Sequence, residues 1–320
     1  MGDTTLYDTL KQNEKCYHFK HMKNTDGIFH KTIDATYVIH LEGNGRHESV
    51  IKQLNEYHLT NDVYILYNKG FKKCKKTDNI VYPADDLIDA FFQIFKHANE
   101  NKYENILILE DDFILDSKIK NKNHIDDIND FLIKKNKQNE SFIYFLGCVP
   151  VLSFPDITNK NTYYNILSGG MHSVIYSKKY RENLIRDYNK VEYIKDWDVI
   201  NNMYSIDKYM YYMPICYQLF PETDNKKTWG GQFKITQFLS YIPKAIIYVL
   251  DIDKNIEPGY SIIYAISKIL PLILLIGFIV MIYIVYMVYN NKNSKISKIS
   301  KISNNNTFSK YISKYKTMKP

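Results

Sequence analysis

Ile106-Leu107-Ile108-Leu109-Glu110-Asp111-Asp112-Phe113 sets four aliphatic residues directly against three acids. A strand covered on both faces reads as a continuous apolar run, because neither face needs polar residues. The acids stand where that strand should end. In open α/β sheets, ligands sit beyond the carboxyl ends of the strands. Three adjacent carboxylates repel one another, so the cluster costs stability unless a cation neutralises it. Hard divalent ions take oxygen ligands of this kind. The competing reading is an acidic turn solvated at a strand end.

Strand and helix patterns alternate outward from this stretch. Ala35-Thr36-Tyr37-Val38-Ile39-His40-Leu41 reads as the first strand, Glu42-Gly43-Asn44-Gly45-Arg46 as a turn, and residues 46–58 as a helix. Val63-Tyr64-Ile65-Leu66-Tyr67 is a second strand, followed by a basic loop over 71–82. Pro83-Ala84-Asp85-Asp86 opens a helix that reaches His97, with Leu87, Ala90, Phe91, Ile94, Phe95 and Ala98 on one apolar face. After the acidic strand come a helix of mixed charge over 124–137 and a buried strand at Phe142-Ile143-Tyr144-Phe145-Leu146-Gly147. This βαβ spacing predicts an α/β fold built on a Rossmann-type, mostly parallel sheet. Further on lie the turn Ser168-Gly169-Gly170, helices over 177–189 and 196–206, strand-like runs at 209–212 and 214–218, and a polar loop at 220–225.

The charge is unevenly placed. The chain of 320 residues carries +7, but residues 290–320 hold eight Lys and no acid. Taking those eight from the 42 basic residues leaves 34 against 35 acids, so the body is near neutral and shows no nucleic-acid footprint. Residues 269–289 are 21 without a charge, enough for a transmembrane helix, with Tyr283, Tyr286 and Tyr289 gathered at one end as an interfacial belt. Five segments follow: an extension over 1–33, the globular domain over 34–234, a membrane-proximal linker over 235–268, the span over 269–289 and the lysine-rich tail over 290–320. Residues 1–33 contain no signal peptide, which places the body on the cytosolic side of a C-terminally anchored, single-pass protein. The tail lysines argue the opposite by the positive-inside rule. Cys16, Cys74, Cys148 and Cys216 are scattered singly, suggest no disulfide framework or zinc site, and fit a reducing compartment.

Together, Tyr37-Val38-Ile39-His40-Leu41 with Arg46, Ile108-Leu109-Glu110-Asp111-Asp112-Phe113, Asp196, and Pro214-Ile215-Cys216-Tyr217-Gln218 resemble glycosyltransferase family 25. That family includes lipopolysaccharide sugar transferases and collagen galactosyltransferases. The resemblance covers residues 35–230 and implies a GT-A fold, a nucleotide-sugar donor (a UDP-sugar), and a divalent metal, Mn²⁺. It further implies a glycan or glycoprotein acceptor and inversion at the sugar carbon. Glu110 and Asp112 are the candidate metal ligands, with His172 as a third, and Asp111 reaches the donor ribose.

Leu41, Arg46, Gly169 and Gly170 complete the donor side. Guanidinium suits phosphate oxygens, and glycines let the backbone approach a sugar closely. A solvated helix-start arginine and a plain tight turn are the plainer readings of these positions. Glu222, Asp224 and Trp229 are candidates for the acceptor, or a polar surface loop. The catalytic base is Asp196 or Asp198, with Asp196 aligning better. Asp196 also reads as a helix N-cap, and Asp198 as a first-turn charge on the helix dipole. The reading is a membrane-anchored, metal-dependent glycosyltransferase. The alternative is an inactive membrane-tethered glycan- or nucleotide-binding module of the same fold.

Overall fold

A computed structural model describes residues 6–219, 245, 247–252 and 254–316. In chain order the elements are α1 (Leu6–Asn13), β1 (Tyr17–Lys23), β2 (Ala35–Leu41), α2 (His47–Tyr57), β3 (Asp62–Asn68), α3 (Pro83–Glu100), β4 (Asn105–Glu110) and β5 (Phe113–Leu115). They continue with α4 (Lys122–Lys137), β6 (Ile143–Pro155), β7 (Thr162–Ser177), α5 (Lys178–Arg186), α6 (Trp197–Tyr204), β8 (Lys208–Tyr211), β9 (Cys216–Gln218) and α7 (Gly259–Lys316). Seven strands form one sheet in the order β1-β3-β2-β4-β7-β6-β8. β2, β3, β4, β6 and β8 point one way, and β1 and β7 oppose them. The sheet is mixed and mostly parallel.

The aliphatic run of β4 is buried on both faces, as its lack of alternation predicts. Ile106 and Ile108 join Tyr37, Ile39 and Leu66 against α3, α5 and α6. Leu107 and Leu109 join Val38 and Ile65 against α2 and α4. Each such side chain contributes about 1.5–3 kcal/mol on burial. In α2, Val50, Leu54 and Tyr57 bury one face, four and three residues apart. α3 starts where Pro83 forbids an internal N–H bond, and Asp85 Oδ2 accepts from the backbone N–H of Val81 and Tyr82.

These helices leave the sheet on opposite faces. From β2 the chain passes through α2 to β3. From β3 it returns through α3 to β4, on the other side of β2. The strand order therefore reverses between β2 and β4, and a crevice opens at their carboxyl ends.

Three expectations change. Residues 1–33 are more than an extension, because β1 pairs along the whole of β3 from Tyr17 opposite Asn68 to Lys23 opposite Asp62. Their alternation of polar and half-buried residues is that of an edge strand, which hides from a search for apolar runs. Cys16 and Cys74 form a disulfide with Cα atoms 5.7 Å apart, so sequence spacing misled where the fold brings the turn before β1 to the loop after β3. The stretch expected as a linker also supplies core. Ile247, Ile252, Tyr260, Ile263 and Tyr264 are buried in the cluster on the α3 face.

The chain divides into two compact units, Met1–Lys268 and Ile269–Pro320. The stretch Gly259–Lys292 of α7 is long and apolar enough to cross a membrane. From Leu272 to Tyr289 its large apolar side chains are exposed.

Candidate active site

The three acids at the end of β4 do different things. Asp111 is turned back onto the exit of β2. Its Oδ2 accepts from His40 Nδ1 (3.0 Å), the Leu41 N–H (3.0 Å) and Asn44 Nδ2 (2.5 Å), and its Oδ1 accepts from Arg46 Nη1 (2.6 Å). Gly43 and Gly45, both with φ near 80°, give the left-handed turn that swings Asn44 and Arg46 onto this carboxylate. Burial opposes ionisation of Asp111, but the donors from His40, Arg46 and Asn44 outweigh it and hold the carboxyl below its ordinary value. Asp111 therefore fixes the turn, and Leu41 serves it through its backbone. Arg46 is held by the acids, with Asp112 Oδ2 3.8 Å away.

Asp112 and Glu110 are less fully compensated. Asp112 accepts from Gln218 Nε2, at 3.1 and 3.2 Å, and feels the Arg46 charge, yet burial pushes its carboxyl up to about 6. Glu110 is raised well above its ordinary value by burial and by the charges of Asp112, Asp198 and Asp111, with Arg46 opposing. A third carboxylate thus acts here from α6.

The placement of Asp198 follows from Trp197. The Trp197 indole is buried, stacked on Phe91 at 4.1 Å, and donates to the Tyr176 hydroxyl at 3.0 Å. With Trp197 inward, its two neighbours diverge, since consecutive residues do not share a helix face. Asp196 faces solvent as the N-cap of α6, accepting from the Val199 N–H at 3.0 Å. Asp198 turns to β7, where it accepts from the Gly170 N–H (2.7 Å) and the Met171 N–H (3.3 Å). Asn202, a turn later, accepts from the Ser168 N–H (3.3 Å) and donates to the Ser168 carbonyl (2.6 Å). Gly169 and Gly170 thus receive α6 rather than forming an isolated turn. β7 runs antiparallel to β4 with Ser173 opposite Leu109, which carries this stretch and Asp198 toward Glu110. Burial and the Asp196 charge push the Asp198 carboxyl up to about 7.

His172 is not brought to the acids. Its ring is fully buried, with Nδ1 2.7 Å from the Gly170 carbonyl and Nε2 3.0 Å from the Cys216 carbonyl. Burial pushes it down to about 4. It packs at the junction of β7 and β9, where a side chain on Gly147 would collide with it. Glu222, Asp224 and Trp229 lie outside the described residues.

Sequence reasoning assigned no role to Asn44, Asn202 or Gln218. Asn44 carried a signal as a polar residue between two turn glycines at the end of a strand, and Gln218 as the last residue of the family-like block over 214–218. Among the described residues no three His, Cys, Asp or Glu side chains stand together in a metal-binding arrangement. What the crevice does offer is hard oxygen. Glu110 and Asp112 are only partly offset by Arg46, and beside Asp112 the Gln218 Oε1 is buried without a hydrogen-bond partner among the described residues. Small divalent ions are often held by one or two carboxylates, with phosphates and water filling the remaining positions. The donor set fits that mode.

No protein-family model matches the chain, and no curated protein matches it. Among solved structures it is similar to a crystal structure of a glycosyltransferase involved in the glycosylation of the major capsid of PBCV-1. The match has 11% identity, covers 60% of this chain and 95% of that one, and has a TM-score of 0.36. A likeness that distant carries no functional weight.

Proposed function

We propose that the Met1–Lys268 unit is a metal-dependent glycosyltransferase, anchored to a membrane through α7, that moves a sugar from a nucleotide-sugar donor to a glycan or glycoprotein acceptor. The observation that carries this reading is the set of three carboxylates, Glu110, Asp112 and Asp198, each raised above its ordinary value at the strand-order reversal. Such a set is costly to a fold and useful to a reaction that handles a charged donor. The resemblance of Ile108-Leu109-Glu110-Asp111-Asp112-Phe113 to family 25 supports the choice of reaction.

Glu110 and Asp112 would hold a divalent ion, Mn²⁺ in this reading, with Gln218 orienting Asp112. When bound, the ion supplies positive charge to the diphosphate leaving group of the donor. Asp111 keeps the β2 exit turn rigid, so Arg46 and the backbone of residues 41–45 face the nucleotide in one geometry. Asp198 takes the proton of the acceptor hydroxyl. Near 7, its carboxyl is poised between holding and releasing a proton at neutral pH, as a general base requires. Attack by that hydroxyl on the face opposite the nucleotide inverts the sugar carbon.

The test is a hydrolysis screen across UDP-, GDP- and CMP-sugars, with Mn²⁺ and with chelator. Nucleotide release from one donor class, abolished by chelator, is expected. Release from none of them in any metal would refute the reading.

A further inference from the structure

Of the four cysteines, Cys16 and Cys74 meet beside the edge strand β1. Cys16 ends the turn before β1, and Cys74 lies in the basic loop after β3. Cys148 and Cys216 remain free and buried, and burial pushes both thiols up to about 12. Disulfides persist in oxidising compartments and are rare in the cytosol. A second, independent observation comes from charge. The twenty residues before Ile269 contain two lysines, Lys254 and Lys268, whereas the twenty after Tyr289 contain four, Lys292, Lys295, Lys298 and Lys301. Basic residues close to a span are retained on the cytosolic side.

We propose that the Met1–Lys268 unit lies on the oxidising, non-cytosolic side of the membrane, with the lysine-rich tail in the cytosol, and that Asn139 is an N-glycan acceptor there. This rests on α7 being a span and is independent of the transferase reading. It reverses the orientation suggested by the polar N-terminus. Forming the Cys16–Cys74 bond takes two protons and two electrons from the thiols, and a disulfide-bearing oxidant of that compartment receives them and becomes a dithiol.

Asn139-Glu140-Ser141 is an acceptor triplet of the form Asn-x-Ser/Thr. Asn139 is exposed, just past the end of α4, in a left-handed conformation with φ 50°. Its amide nitrogen would bond to the anomeric carbon of a lipid-linked glycosyl diphosphate. The carbon–oxygen bond to the diphosphate breaks, the lipid diphosphate leaves, and the amide loses one proton. The tail carries its own triplet, Asn305-Asn306-Thr307. The chain therefore holds one natural reporter on each side of the span.

The experiment is translation of the full chain into sealed endoplasmic-reticulum microsomes. Carbonate extraction comes first. A chain released by carbonate has no span and overturns the proposal at its premise, without touching the transferase reading. For a retained chain, added protease should trim only the tail. An endoglycosidase-sensitive band should be lost in Asn139→Gln and kept in Asn305→Gln. Maleimide should label Cys16 and Cys74 only after reduction. Digestion of the globular unit in sealed vesicles, or a glycan lost in Asn305→Gln instead, would overturn the proposed orientation.

Discussion

Exchanging the two aspartates that flank Trp197 separates a cap from a base. Asp196→Ala removes one exposed hydrogen bond, the N-cap contact to the Val199 N–H at 3.0 Å. Such a loss costs about 1 kcal/mol. That corresponds to a melting shift of about 2–4 °C for a domain of this size. Turnover should stay near wild type. Asp198→Asn acts the other way.

The folded carboxyl of Asp198 titrates near 7, above its unfolded value, so the folded state holds that proton more tightly. Its contribution to stability is present at low pH and is lost as pH climbs from about 4 to 7. Asparagine never ionises, so the variant escapes this loss at pH 8. It keeps an acceptor for the Gly170 N–H and gives up the longer bond to the Met171 N–H, worth about 1 kcal/mol. At pH 8 the variant should therefore be at least as stable as wild type, because the relieved ionisation outweighs the lost bond, while turnover falls roughly 10²–10⁴-fold with donor binding preserved. Wild-type turnover should also decline as pH drops below about 7. Melting curves and initial rates on both variants decide the matter. Normal turnover in Asp198→Asn, or a collapse of turnover in Asp196→Ala alone, would refute the assignment.

Three further outcomes are expected. Asp111→Ala should destabilise the fold by about 3–5 kcal/mol in urea, since it leaves buried His40 and half-buried Arg46 without their shared partner. A chain ending at Lys268 should be soluble and folded, whereas one ending at Ser261 loses buried Ile263 and Tyr264, about 1.5–3 kcal/mol each, and should fail to express as folded protein. Replacing both Cys16 and Cys74 by Ser should cost about 4 kcal/mol in a non-reducing denaturation, by the chain-entropy estimate for a 58-residue loop.

Much of the sheet was legible because its central strands announce themselves. The run Ile106 to Leu109 has no alternation, and the structure buries it on both faces. The turn holding Gly43 and Gly45 was equally plain. β1 was not, because an edge strand with one wetted face reads as polar chain. The first turns of α7 were read as the end of a linker before the span, so their packing was missed. Tyr260 and Tyr264 face the core while the large apolar side chains from Leu272 to Tyr289 are exposed. At the site, the acids were visible but their division of labour was not. Which of Asp196 and Asp198 faces the crevice depends on Trp197 finding Phe91 in α3, a contact no local pattern encodes. At the site, Asn202 and Gln218 act through partners distant in sequence, Ser168 and Asp112.

The most direct test of the central claim is the melting temperature of the full chain in detergent with UDP, with Mn²⁺, and with both. A ligand at about 100 times its Kd adds about 2.7 kcal/mol to a folded state that alone binds it. At about 2–4 °C per kcal/mol, the shift should be about 5–10 °C. The account predicts that this shift requires metal and nucleotide together and disappears in Asp112→Asn. No shift with UDP, GDP or CMP in the presence of Mn²⁺, or an undiminished shift in Asp112→Asn, would contradict it.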